Sequence, residues 1–285
     1  MTIYLSSPSP LASQTVLTKN FQVKGASDGQ AFQNTTFSSS YTMVFQTMPA
    51  GVGHTNLTFK DCFINGNTHP GNKWGAHCIG IMSGRADRVY ATAHNEHAFY
   101  WEIPGGYEFV DCTSEAGSQG WQIEDREFTS SGANMWPTGY DRSQMKDVTW
   151  RRCWARECGQ PYGDRPSYAF ALYREAGHYL LENCQVTRGL DNGMSSDQHM
   201  RALLMRGKAP TLEIHGGVFD YAEPDRALVY LMSGAGALIT RAHFPRGVIE
   251  IGKDMKNVVI KGCTGGAVIR TPDGKSRPVT QGIEY

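Results

Sequence analysis

The chain has 285 residues, and its 27 Lys and Arg are balanced by 27 Asp and Glu. Zero formal charge without a long basic run argues against a nucleic-acid partner held by counterion release. No stretch reaches the roughly 18 apolar residues of a membrane helix, and MTIYLSSPSPLASQT lacks the basic region and apolar run of a signal peptide, so the expectation is a chain that stays in the cytoplasm where it is made and has no membrane partner.

Residues 1–18 are rich in Ser and Pro and read as an extended lead-in. From there the chain alternates apolar and polar residues at period 2 between Gly and Pro corners, the pattern of short strands. A first strand of the form apolar-x-apolar-x-x-small runs through Leu57-x-Phe59-x-x-Cys62, Tyr107-x-Phe109-x-x-Cys112, Val148-x-Trp150-x-x-Cys153, Tyr179-x-Leu181-x-x-Cys184 and Val258-x-Ile260-x-x-Cys263. Degenerate copies start at Phe21, Val89, Leu212 and Leu238, the second and fourth placing His94 and His243 where the others place Cys. Each is followed by a second strand, among them Phe99-x-Trp101, Trp121-x-Ile123, Phe170-x-Leu172, Leu203-x-Met205, Leu228-x-Tyr230, Ile249-x-Ile251 and Ala267-x-Ile269.

A unit recurring at this period is a solenoid signature, and the expected fold is an all-β, right-handed parallel β-helix of about nine rungs spanning 19–270. At about 4.8 Å per rung it would stand about 43 Å tall. An insertion at 124–147 and a polar tail at 271–285 complete the single-domain reading, and the short, polar ends suggest that another chain covers at least one of them.

Five of the seven cysteines share one place in the repeat, which predicts an inward ladder of thiols at a corner, with no disulfide and no metal. One corner is short and nearly constant, as in Ile103-Pro104-Gly105-Gly106. The other is long at Phe63 to Cys78, Trp154 to Ala169 and Gln185 to Ala202. Insertions on one face of a solenoid often mark its binding face.

Stacked rungs turn equivalent positions into neighbours. Glu102 and Glu124, each just after a second strand, fall about one strand spacing apart, near the separation of the carboxylates of retaining glycosidases. The competing reading is a pair of surface glutamates neutralised by Arg126 or Arg174. The long loops add Asp164, Asp191 and Asp197 as further candidate acids, with Arg165 and His199, beside the aromatic residues Trp74, Trp154, Tyr162 and Tyr168. Carboxylates with aromatic platforms suit a carbohydrate chain, although Asp in loops also serves turn geometry. Arg174 and Arg206 are candidate substrate-binding residues. With Lys208 they are expected to line up on neighbouring rungs, which would also serve a lyase by neutralising a substrate carboxylate. The run Ser195-Ser196-Asp197-Gln198-His199 is too local for a converging triad. No cofactor is implied.

The VxIxxC repeat, as in Asn257-Val258-Val259-Ile260-Lys261-Gly262-Cys263, and the unit Glu96-His97-Ala98-Phe99-Tyr100 resemble the right-handed parallel β-helix superfamily of pectate-lyase-like enzymes, polygalacturonases, alginate epimerases and phage tailspikes. The resemblance spans nearly the whole chain but lies in the fold. The polygalacturonase, epimerase and pectate-lyase catalytic motifs are all missing, so no catalytic residue carries over. It implies a tailspike-like protein, expected to be a homotrimer, that binds or cleaves a surface polysaccharide. The alternative is a non-catalytic virion component, for decoration or the tail, that uses the prism as a rigid spacer. A secreted polysaccharide enzyme ranks third for want of an export signal.

Overall fold

The computed structural model describes residues 57–66, 83–93, 97–102, 106–115, 119–124, 146–158, 167–187, 200–220 and 227–285, together with the strands Thr2–Tyr4, Thr15–Leu17, Phe21–Lys24, Ala31–Gln33, Thr36–Ser39, Met43–Gln46 and Trp74–Ile79. The strands form three long sheets of twelve, ten and eight members. The chain visits the sheets in rotation. Gly84–Asp87 lies in the ten-stranded sheet, Tyr90–Ala93 in the eight-stranded and His97–Glu102 in the twelve-stranded, and Tyr107–Val110 then returns beside Gly84–Asp87. Nearly every pairing is parallel and joins a strand to its counterpart one turn later. Among the described residues no helix is long and apolar enough to cross a membrane.

Alternation turns half of each strand inward. The twelve-stranded sheet contributes Phe99 and Trp101, then Trp121 and Ile123, then Phe170 and Leu172, all fully buried. Because register is kept from strand to strand, like residues meet like. Phe99, Trp121 and Phe170 form a continuous stack with centroids 5.2 and 4.9 Å apart and rings within 5° of parallel. Phe109 and Trp150 stack likewise from the ten-stranded sheet at 5.6 Å.

The cysteine ladder forms at the corner between the ten- and eight-stranded sheets. Cys112, Cys153 and Cys184 are buried, and each thiol donates to the carbonyl one rung below, to Ala86, Phe109 and Trp150 at 3.4 Å. Burial holds the Cys153 thiol well above its ordinary pKa. The chain turns this corner through one left-handed residue placed just before the ladder: Asp61, Arg88, Asp111, Arg152, Asn183, Gly216, Arg241 and Gly262, all with φ between 51° and 69°. Left-handed backbone is strained for a residue with a Cβ. At four of these positions the side chains pair with each other. Arg88 grips Asp61 with two bonds of 2.6 and 3.0 Å, and Arg152 grips Asp111 with 2.7 and 2.9 Å.

Four register expectations change. Phe21–Lys24, expected as a first strand, lies in the twelve-stranded sheet beside Met43–Gln46, the sheet of the second strands. The ladder member on the second described turn is Val89, preceded by left-handed Arg88, and the strand before it is Gly84–Asp87; Val89 does not begin a first strand, and His94 lies outside the described residues. Farther on, the inward residues are Ala237 and Ile239, with Ala242 in the ladder, so His243 bridges the eight-stranded sheet instead. In Ala227–Gly234 the inward residues are Val229 and Leu231 in place of Leu228 and Tyr230.

The tail after 270 is built into the sheets. Ser276–Pro278 pairs antiparallel with Val268–Arg270, and Ile283–Glu284 pairs antiparallel with Val258–Lys261. A short 3₁₀ turn between them buries Val279, so the last turn of the solenoid is roofed by its own chain.

Candidate functional site

The outward positions of the twelve-stranded sheet carry the most varied chemistry. Sequence places Trp121 and Ile123 inward and therefore Gln122 and Glu124 outward, and the same alternation holds on the neighbouring strands. Register then aligns one row across successive strands: Ile79, Glu102, Glu124, Tyr173, Arg206. Glu102 and Glu124 are direct partners, as expected, and only the backbone of Glu102 is described. A second row, two residues back, runs Tyr100, Gln122, Ala171, Leu204, Tyr230 and Glu250.

The two rows meet at Glu124. Its carboxylate is only 9% exposed, and it accepts from the Tyr100 hydroxyl at 2.7 Å and from Gln122 Nε2 at 2.6 Å. Both oxygens are thus fixed by neutral donors, which holds the carboxylate in one orientation. Next in the row, Tyr173 meets Tyr168 edge to face at 6.4 Å. Burial, with the neighbouring Tyr168 and Glu124 adding to it, pushes the Tyr173 phenol well above its usual range, and burial also raises that of Tyr168. Both hydroxyls stay neutral at any physiological pH. The Arg206 guanidinium lies over the Tyr173 ring at 4.3 Å, and Arg201 lies over Tyr230 at 4.7 Å.

The row opens into a cleft of about 570 Å³ at the short corner, bordered by Glu124, Tyr173, Arg174, Arg206, Lys208 and Met232. Arg174, Arg206 and Lys208 do not form one line. Arg206 pairs in register with Tyr173, whereas Arg174 lies against Gly207. The Arg174 side chain is fully buried. Its Nη1 donates to the Lys146 carbonyl at 3.0 Å, its guanidinium faces the Tyr179 ring at 5.9 Å, and Nε and Nη2 have no acceptor among the described residues. Lys208 is mostly exposed and pairs with Glu175 at 3.2 Å.

The other sequence candidates fall elsewhere. Trp154 stands on the eight-stranded sheet, away from the acids. Its indole donates to the Thr187 hydroxyl at 3.1 Å, and Arg156 covers the ring at 5.3 Å. Tyr168 shares the outer face of the twelve-stranded sheet with Glu124, but it is buried against Ala171 and Leu204. Trp74 begins a strand of that sheet and is described by its backbone alone. Asp164, Asp191, Asp197, Tyr162, Arg165 and His199 lie outside the described residues. The residues missed from sequence are Tyr100, Gln122 and Tyr173. Their signal was the outward half of the second strands, legible once the inward pairs Phe99/Trp101, Trp121/Ile123 and Phe170/Leu172 are aligned.

No family model matches the chain, and neither a curated protein nor a solved structure does.

Proposed function

We propose that this chain is a tailspike-like, right-handed parallel β-helix of about nine rungs that binds a surface polysaccharide along the outer face of its twelve-stranded sheet and hydrolyses it with Glu102 and Glu124. The ten-stranded sheet fits that count with nine parallel strands beside the antiparallel Ile283–Glu284, and the twelve-stranded sheet carries eleven beside the antiparallel Ser276–Pro278. The observation that carries the function is the aligned row Glu102, Glu124, Tyr173 and Arg206 opening into the cleft. Such a row offers one polar group per strand spacing, about 4.8 Å, which is close to the length of one sugar in an extended chain.

The backbones of the two acids are neighbours in register, one strand spacing of about 4.8 Å apart, and in carboxylate pairs about 5 to 5.5 Å apart one carboxyl protonates the leaving oxygen and the other attacks the anomeric carbon. Glu124, held as an acceptor on both oxygens, takes the nucleophile's place and Glu102 the acid's. Tyr173 and Arg206 supply ring surface and hydrogen bonds to the sugars beyond.

The test combines light scattering with a reducing-end assay on a panel of bacterial surface polysaccharides. The expected result is a homotrimer that releases reducing ends and loses that activity in Glu102→Gln and Glu124→Gln. Binding without release would reduce the role to adhesion. A stable oligomer that neither binds nor cleaves any member of the panel would overturn the proposal in favour of a virion structural role.

A further inference from the structure

The corner between the ten- and eight-stranded sheets supplies its own template for a ligand site. Along it the left-handed residues of successive rungs read Asp61, Arg88, Asp111, Arg152, Asn183, Gly216, Arg241 and Gly262. Two of the three arginines are gripped by the acid one rung earlier, Arg88 by Asp61 and Arg152 by Asp111, each through two hydrogen bonds. The third, Arg241, has glycine on both sides, Gly216 one rung earlier and Gly262 one rung later. We infer that a carboxylate from outside the chain takes the place that Asp holds on the other rungs, so that Arg241 and the notch over Gly216 form a binding site for a small polyhydroxylated acid of the uronic-acid type.

The Arg241 side chain is exposed, and its guanidinium has no hydrogen bond or ion pair among the described residues. A planar guanidinium meets a carboxylate with two parallel bonds, as the two Asp–Arg pairs of this corner already do. The notch is a cavity of about 330 Å³ bordered by Glu182, Asn183, His215, Gly216, Gly217 and Arg241. Its other titratable walls are engaged. Glu182 is held by Arg151, and the His215 ring bridges Glu213 at 2.6 Å and the Thr240 hydroxyl at 2.8 Å. Arg241 is therefore the cation that an entering anion meets there. The walls are polar or glycine, with no aliphatic or aromatic side chain, which suits a ligand that carries hydroxyl groups beside its acid. At φ 69° Gly216 shares the left-handed backbone of Asp61 at 53° and Asp111 at 51°, so that backbone accommodates Asp, and the glycine is what keeps the notch open.

The experiment titrates the purified full chain at low salt with galacturonate, galactose and sodium chloride. Calorimetry reads the affinity, and the side-chain Nε–H signals of isotopically labelled arginine read the place. Galacturonate is expected to shift the Arg241 signal, identified by its loss in Arg241→Gln. It should bind at least tenfold more tightly than galactose, which has the hydroxyls without the acid, and than chloride, which has the charge without the shape. Arg241→Gln should remove at least tenfold of the affinity and Arg241→Lys part of it. Gly216→Asp, which supplies the acid from within, should exclude the ligand while Tm is kept or raised. Trigalacturonate bound at least tenfold more tightly than the monomer would place the acid in a polymer, and equal binding would make it a free sugar acid; both support the site. No binding of galacturonate, an equal response to galacturonate and chloride, affinity indifferent to Arg241→Gln, or undiminished binding by a folded Gly216→Asp overturns the inference. The notch and the cleft of the twelve-stranded sheet lie at different corners, so that failure leaves the proposed function standing.

Discussion

Trp121 offers the most direct measure of what holds the solenoid together. Its ring is fully buried and sandwiched between Phe99 at 5.2 Å and Phe170 at 4.9 Å, nearly parallel to both. Removing about 200 Å² of apolar surface at about 25 cal/mol per Å² costs about 5 kcal/mol, of which alanine restores a small part. Two lost ring contacts add about 0.5–1.5 kcal/mol each, and core Trp→Ala changes fall at about 3–5 kcal/mol. Trp121→Ala should therefore lose about 5 kcal/mol, a large share of the roughly 5–15 kcal/mol available to a folded domain. Trp121→Phe keeps the stack and should lose only about 1–2 kcal/mol. Urea unfolding followed by circular dichroism reads both. Because each turn contacts only its neighbours, the alanine variant should also broaden the transition and lower its m-value as the turns on either side uncouple. A loss under about 2 kcal/mol with an unchanged m-value would refute the claim that the aromatic stack is the main axial tie.

Further outcomes are open to measurement. Gly207 has its α-carbon so close to the previous rung that an added Cβ would lie 1.7 Å from the Arg174 carbonyl oxygen, so Gly207→Ala should cost about 2–4 kcal/mol in thermal unfolding and distort the cleft; an unchanged Tm would show that the rungs spread freely there. Arg174 buries a charge with two nitrogens, Nε and Nη2, unbonded among the described residues, so Arg174→Met should be neutral or stabilising by about 1 kcal/mol in urea, and a loss above about 3 kcal/mol would mean that the Lys146 and Tyr179 contacts outweigh desolvation. Asp111 is held below its ordinary pKa first by its hydrogen bonds from Arg152 and then by that residue's charge. Its contribution is complete above the unfolded pKa, about 3.9, and is lost as pH falls through the lower folded value. The Tm gap between the native chain and Asp111→Asn should therefore close below about pH 4, and a gap independent of pH would sink this assignment.

The strands that sequence revealed are those with two inward apolar residues, such as Phe99 with Trp101 and Tyr107 with Phe109, because two alternations establish a period. The eight-stranded sheet escaped notice for the opposite reason. Thr113–Glu115 turns only Ser114 inward and Trp154–Arg156 only Ala155, so there is no apolar repeat, and the strands read as parts of a long corner. Two of the misplaced registers share a cause. Where a strand is apolar on both faces, as in Leu228, Val229 and Leu231, or begins with a small inward residue such as Ala237, alternation alone fits two phases. The candidate site was half legible. Glu102 beside Glu124 followed from counting positions, but Tyr173 did not, because matching Arg174 with Arg206 on similarity of charge shifted that row by one residue.

The two antiparallel strands after residue 270 also set a length. Parallel rungs supply no internal reason to stop, since each finished turn is a template for another. Ser276–Pro278 reverses the chain direction on one sheet and ends it with a proline that has no N–H to offer, and Ile283–Glu284 does the same for the direction of a second sheet. A second copy arriving at this end meets no continuation of the parallel pattern. Among the described residues, two of the three sheets therefore present an antiparallel strand at this end in place of a parallel edge.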